Sequence, residues 1–404
     1  MKKNWEIKKL GEVCQIKGGK RIPKGKKLLT EKTLHPYIRV TDFTDDGTVS
    51  LNDIHYISDE IYETIKQYTI TTSDVFISIA GTIGKVGVIP SELNNANLTE
   101  NACKLILNDK LYNKYLVYVF QSDKIKAITQ DNARANAMPK LSITRLSNIA
   151  IPVPPLEEQK HIVKILDEKF AQLETIKANA QTNLQNAKDL FQSQLTKAFS
   201  NTTWEKKRLD EITTIINGYA FPSKDFSKTN TVKSIKITNV GVGTFIEDDD
   251  EKLPSDYLFT KTEVMVYSKD LVIALTRTII SDGLKIAFVP ESFNNALVNQ
   301  RVAAMRPIET QVLANLLYYF FKTDIAYNYV LEHVNTLMQP NLSIGDLKSF
   351  PIPLPPLPEQ KRIVKELDAL SEKTKALQNI YEKMLLDCEE LKQSYLCKAF
   401  AGEL

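Results

Sequence analysis

The chain has 404 residues, with 52 Lys and Arg against 49 Asp and Glu and a formal charge of +3. That is long enough for two domains with full cores, and basic enough to permit nucleic-acid binding without demanding it. Four cysteines (Cys14, Cys103, Cys388, Cys397) without a CxxC pair argue against a disulfide framework or a zinc module and for a reducing compartment. There is no apolar run of membrane-spanning length and no apolar core in the opening MKKNWEIKKL, so neither a membrane span nor a signal peptide is expected, and a cytoplasmic location is.

Read in order, the chain states its plan twice. Trp5-Glu6-Ile7-Lys8-Lys9-Leu10 is matched by Trp204-Glu205-Lys206-Lys207-Arg208-Leu209. A glycine-bearing turn follows, Lys17-Gly18-Gly19-Lys20-Arg21 in the first half and Asn217-Gly218-Tyr219-Ala220-Phe221 in the second. Alternating apolar and polar residues then predict a half-buried strand at Tyr37–Asp42 and at Ser234–Asn239, with Arg39 and Lys236 equivalent on the polar face. A β-rich run comes next, Asp74 to Ala80 breaking at Gly81-Thr82-Ile83-Gly84-Lys85, and Asp270 to Leu275 breaking at Thr276-Arg277-Thr278-Ile279. Both halves return in a strand ending at Pro90 or Pro290 and repeat Asn-Asn-Ala, at Asn94–Ala96 and Asn294–Ala296. Each closes with a helical segment (Lys114 to Gln130; Leu313 to Glu332) and a loop carrying Arg134, Met138 and Lys140, or Met338, Gln339 and Asn341. Two α+β domains are expected, at 1–150 and 201–350.

Each domain runs into a duplicated junction. IPVPPLEEQKHIVKILD at 151–167 and IPLPPLPEQKRIVKELD at 352–368 agree at 13 of 17 positions with an offset of 201. The prolines fix the earliest helix start, and acidic residues follow in the first turn, where the helix dipole favours them. Apolar residues then step by threes and fours: Ile162, Leu166, Phe170, Leu173, Ile176, Ala180, Leu184, Ala187, Phe191 and Leu195 in one copy. The other copy has Ile363, Leu367, Leu370, Thr374, Leu377, Tyr381, Met384, Cys388, Leu391 and Tyr395. This predicts long helices within 151–200 and 351–404, each roughly 65 Å long. A helix with so thin an apolar seam needs a partner; the other copy is the expected one, and packing on its own domain is the alternative.

Catalytic constellations are missing. Gly81-Thr82-Ile83-Gly84-Lys85 lacks the spacing and the following Ser or Thr of a P-loop. The four histidines (His35, His55, His161, His333) have no metal-ligand spacing. Glu157-Glu158-Gln159-Lys160, which could pass for part of a nuclease motif, reads as helix capping and solvation. What remains is a binding surface. Lys17, Lys20, Arg21, Lys24, Lys26 and Lys27 crowd one turn, a phosphate-binding candidate. Residue types that read base edges make Arg39, Thr82, Lys85, Asn97, Asn101 and Arg134 the candidates of the first half. Those of the second are Tyr219, Lys236, Arg277, Thr278, Lys285, Asn299, Gln300, Arg301 and Gln339.

The paired junctions Pro152–Lys160 and Pro353–Lys361, the Trp-initiated domain starts and the Gly-Thr-Ile-Gly-Lys turn together resemble a type I restriction-modification specificity subunit. The resemblance covers essentially the whole chain, and departs from the pattern at Thr276–Ile279, where the glycines are missing. It implies that each domain is a target recognition domain reading one half of a split, asymmetric site in double-stranded DNA. It implies that the long helices pair antiparallel as a spacer and dock two modification (methyltransferase) subunits, which carry the S-adenosylmethionine site and methylate adenine. Restriction subunits with ATP- and Mg-dependent translocase and nuclease activity complete such a complex, so this chain itself is expected to be non-catalytic and without a cofactor. The competing expectation is a two-domain coiled-coil scaffold that binds proteins and no DNA. A methyltransferase within the chain is disfavoured, since no Asn/Asp-Pro-Pro-Tyr/Phe motif is present.

Overall fold

The structure, a computed structural model, describes residues 5–134, 140–280, 283–334 and 341–404. It forms two compact units, one of Met1–Gln181 with Lys383–Leu404 and one of Thr182–Glu382. The division falls inside both long helices, Leu156–Ala198 and Leu357–Ala401. Each unit therefore holds one α+β domain, the first part of the helix that follows it and the last part of the other.

In the first unit the strands Cys14–Gly18, Ala102–Leu107, Val75–Ser78 and Val86–Gly87 make an antiparallel sheet in that order. Val75–Ser78 is buried on both faces. Its alternation sends Val75 and Ile77 into one core with Leu105, Tyr115 and Leu116, and Phe76 into another with Ile38, Phe43 and Leu98. A second sheet orders His55–Tyr56, Pro36–Ile38, Ala96–Leu98 and Thr69–Ile70. The opening strand Glu6–Lys9 pairs antiparallel with Ala150–Val153, so the domain's beginning is zipped to the junction that ends it. That closing strand runs across residue 150, and the helix begins at Leu156.

The junction works through a buried glutamine. The side chain of Gln159 is fully buried, its Oε1 accepting from Tyr112 N at 2.8 Å and its Nε2 donating to Lys110 O and Pro154 O, each at 2.8 Å. Capping and solvation suit its neighbours (Lys160 meets Glu157 at 2.8 Å) but not Gln159, which clamps the helix start to the loop before Asn113–Gln121. Further along, Ile162, Val163 and Leu166 enter the domain core, and Asp167 accepts from the Tyr118 hydroxyl and pairs with Lys114 at 2.6 Å. The end of the other long helix joins the same core through Leu396 and Ala399. Phe400 sets its ring edge-on to Tyr115, centroids 5.6 Å apart. Lys392 lies over Phe170 and Lys177 pairs with Glu389 at 2.6 Å, so within this unit the two helices run antiparallel.

The second unit repeats the plan. Its sheet orders Thr213–Asn217, Val302–Pro307, Leu271–Ala274 and Ile286–Phe288, and Lys206–Arg208 pairs with Pro351–Pro353. Gln360 reproduces the clamp, accepting from Leu313 N at 2.9 Å and donating to Gln311 O at 2.8 Å and Pro355 O at 2.9 Å. Tyr319 donates to Asp368 at 2.6 Å. Leu195 of the first long helix, and Phe199 just beyond its end, share a core with Ile363 and Leu367 of the second.

Two details differ from the periodicity. The strand expected over Tyr37–Asp42 stops at Ile38, and Val40–Asp42 is a 3-10 turn. Asp42 is the cause: it accepts from Arg39 N at 2.7 Å and from the Arg39 guanidinium, bending the chain back on itself. Asn239 does the same to Lys236 N at 2.8 Å in the second domain, where Ile237–Asn239 is the turn. The helix seam is also not a single stripe. Ile176, Leu377 and Leu391 are 41%, 39% and 47% exposed, whereas Ile162, Leu166, Leu195, Ile363 and Leu367 are buried in the domain cores.

Candidate nucleic-acid interface

Glycines place the candidate surface. In the first domain the turn after Cys14–Gly18 lies so close to the turn before Ala102–Leu107 that a Cβ on Gly19 would stand 2.1 Å from Thr99 O, nearer than any side chain permits. Gly19 N bonds Ala102 O at 2.9 Å, Lys20 N bonds Leu98 O at 2.8 Å, and Ile79 N bonds Asn101 O at 2.8 Å. Leu141 N adds its strand of loop by bonding Ile79 O at 2.9 Å. Three turns are thus gathered at one end of the sheet. Lys17, Lys20, Arg21 and Thr82 are exposed there, and Asn101 is half-buried.

The second domain uses the same bonds. A Cβ on Gly218 would stand 2.1 Å from Asn299 O. Tyr219 N bonds Val298 O at 2.9 Å, Gln300 N bonds Tyr219 O at 3.0 Å, Leu275 N bonds Arg301 O at 2.9 Å, and Leu342 N bonds Leu275 O at 2.8 Å. Tyr219, Arg277, Gln300 and Arg301 are exposed at this end, with Asn299 half-buried. Lys261, which sequence alone did not single out, sets its Nζ 4.0 Å from the Tyr219 ring centroid; nothing in its local sequence signals that.

Charges at the two surfaces are balanced differently. In the first domain Arg21 meets Glu100 at 2.5 Å, Lys85 meets Asp45 at 2.9 Å, and Arg39 meets Asp42 at 2.7 Å and Asp53 at 3.1 Å. The Asp42 bonds push the Arg39 pKa up, so its guanidinium is committed within the protein. In the second domain Lys236 lies 3.6 Å from Glu251 and over the Phe226 ring. Arg277 and Arg301 have no ion pair among the described residues. Lys285 donates to Ile237 O at 2.8 Å; burial, with the Arg277 charge adding to it, holds its pKa below the usual lysine value.

Other candidates sit elsewhere. Asn97 is fully buried and donates to Ile65 O at 2.8 Å, and Thr278 is fully buried beneath its turn; neither presents a side chain to solvent. Arg134 ends the helix Asp123–Arg134, and Gln339, like Met138 and Met338, lies outside the described residues. Among the described residues no group of three or more His, Cys, Asp and Glu is placed to hold a metal ion.

Two like domains, each ending in exposed basic, amide or aromatic side chains at one end of a sheet and tied to a long helix, define a duplicated recognition module. The chain belongs to the family described as the type I restriction modification DNA specificity domain, whose sequence model matches residues 2–185 and again 201–385. It is 26% identical over 418 residues to the type I restriction enzyme MjaVIII specificity subunit of Methanocaldococcus jannaschii, covering 97% of this chain and 90% of that one. It is 25% identical to the EcoBI specificity subunit of Escherichia coli, over 91% of this chain and 80% of the relative. The fold is shared with the HsdS subunit from Thermoanaerobacter tengcongensis, at a TM-score of 0.63 and 20% identity over 100% of this chain and 98% of that one. It is shared more closely with a chain solved in work on complex assembly and conformational transition of the type I R-M system, at a TM-score of 0.80 and 20% identity over 100% and 99%. No helix among the described residues is long and apolar enough to cross a membrane.

Proposed function

We propose that the chain is the DNA sequence-specificity subunit of a type I restriction-modification complex, each domain reading one half of a bipartite, asymmetric site. One observation carries this reading: the backbone frame of the sheet end is the same in both domains while the side chains it presents differ. Lys20 is matched by Tyr219 and Arg21 by Ala220, counting from Gly19 and Gly218, and Asn101 by Arg301 at the shared backbone bond. A scaffold kept constant with its presented residues exchanged is what two different sequences require.

The conserved parts, the glutamine clamps and the helices, serve what both halves share. The helices set the distance between half-sites, and two sites read at once give avidity only at the right spacing. They also dock two modification subunits. Exposed Leu386 and Leu391 in the first unit and exposed Leu377 and Ile380 in the second are apolar surface for that contact. The chain supplies recognition and no catalytic group; S-adenosylmethionine, ATP and Mg belong to the modification and restriction subunits. The deciding experiment maps adenine methylation across the genome in cells with and without this chain, partner subunits present. A bipartite motif with a fixed gap that loses methylation on deletion supports the reading; an unchanged methylation map refutes it.

A further inference from the structure

We infer that Arg277 is the residue through which the second domain reads a guanine in its half-site, an assignment that rests on the functional reading above. The two domains can be aligned at this turn without appeal to sequence. Ile79 N bonds Asn101 O, and Leu275 N bonds Arg301 O. Counting two residues on from each, Gly81 stands in the first domain where Arg277 stands in the second. Both are in the left-handed region, at φ +75° and +49°. Glycine takes that conformation freely, whereas a long side chain is penalised there by its Cβ.

The turn nevertheless holds Arg277 in it. Leu342 N bonds Leu275 O at 2.8 Å, Ala274 N bonds Lys285 O at 3.0 Å, and Lys285 N bonds Thr278 O at 2.9 Å. Beneath it the Thr278 side chain is fully buried. Glycine would close this turn with less strain, so the turn does not explain the arginine; strain of this kind is held where it serves a site.

The surroundings say what that site takes. Arg277 is exposed and has no ion pair among the described residues, and its charged neighbour is another cation, Lys285. In the first domain Arg21 and Arg39 are held by Glu100, Asp42 and Asp53. Arg277 is therefore available to an anionic or acceptor-rich ligand. A phosphate takes a lysine or an arginine and can be met from any nearby loop, so it makes no demand for a side chain fixed at one strained position. The paired acceptors O6 and N7 of guanine in the major groove do make that demand.

The test co-expresses the full chain with its modification subunits and reads the methylated motif from a plasmid library randomised in both half-sites. R277G is expected to lose one fixed guanine in the second half-site, leave the first half-site intact, and melt no earlier than wild type, about 2 °C later if the strain is fully released. R277Q replaces a guanine-reading side chain with one that suits adenine and is expected to lose at least about tenfold of the preference for guanine at that position. A motif unchanged in R277G overturns the assignment, as does a guanine preference kept by R277Q; methylation that falls equally on all sequences with the motif kept would mark a phosphate contact. A wild-type complex that methylates no bipartite motif overturns the functional reading itself, and this assignment with it.

Discussion

At the scale of single residues, the buried polar groups decide more than the surface charges. Gln159 satisfies one N–H and two carbonyls where the domain meets its helix, and Gln360 does so again. Removing one leaves three backbone groups without partners in a dry site, each costing about 1–3 kcal/mol. Gln159→Ala is therefore expected to destabilise the chain by about 3 kcal/mol or more, read as a fall in the urea midpoint, while Lys160→Ala on the exposed side of the same turn shifts it little. Lys322 makes the opposite case. It is half-buried beside Phe191 and Tyr318, and desolvation, with a smaller contribution from Lys375, lowers its pKa. Below that lowered value both folded and unfolded chains carry the charge and the cost of burying it is fully felt. Between it and the free lysine value the unfolded chain holds the extra proton, so stability rises with pH through that window. Lys322→Met is expected to raise the urea midpoint at pH 7 and to flatten its rise toward pH 10; a midpoint that falls at pH 7 would mean that the contacts with the two rings outweigh the desolvation.

At the scale of elements, close approach between turns is the critical feature. Gly218 lets the turn after Thr213–Asn217 lie against Asn299, and an added methyl would have to push one turn off the other. Gly218→Ala is expected to cost about 1–3 kcal/mol and to remove second half-site recognition while the first half-site is still read, checked by binding to DNA carrying one half-site at a time. A loss of both would mean the domains do not read independently. The elements were readable where periodicity is simple. The long helices and the central strands follow from proline position, apolar alternation and the duplicated junction; the pairing of each domain's first strand with its junction strand does not. What escaped was set by side-chain contacts and burial that apolar alternation does not register. Asp42 turns the strand at Arg39, an acid three residues on that alternation cannot weigh. Asn97 and Thr278 have the chemistry of base readers, but the fold spends them in the interior. Gln159 looks like any polar residue of a helix's first turn, and only its exact recurrence at Gln360 hinted that it is fixed. The Asn-Asn-Ala repeat has a plain cause as well: Asn95 and Asn295 are left-handed, at φ +66° and +64°, which asparagine tolerates better than most residues.

At the scale of the whole molecule, the helices carry a prediction the domains cannot. Both long helices belong to both compact units, and the units divide after Gln181 in the first helix and after Glu382 in the second. Within each unit the helix segments are fastened to the domain by a glutamine clamp, an aspartate–tyrosine bond and shared core residues. Recognition and spacing are thus built from separate parts, and a change between the fastened segments should alter one and spare the other. Seven residues inserted at both division points preserve the helical phase to within about 20° and keep the antiparallel partners in step. They lengthen each helix by about 10.5 Å, or about three base pairs at 3.4 Å each. The expected outcome is a methylated motif whose two half-site sequences are unchanged and whose gap has grown by about three base pairs. The measurement is the same library read used for Arg277. A gap that stays constant would show that spacing is set outside these helices, and half-site sequences that change with the gap would show that the domains and the rod are not separable. An insertion of four residues in one helix alone breaks the pairing phase and is expected to abolish methylation, which separates a spacer from a passive linker: a flexible linker would tolerate it.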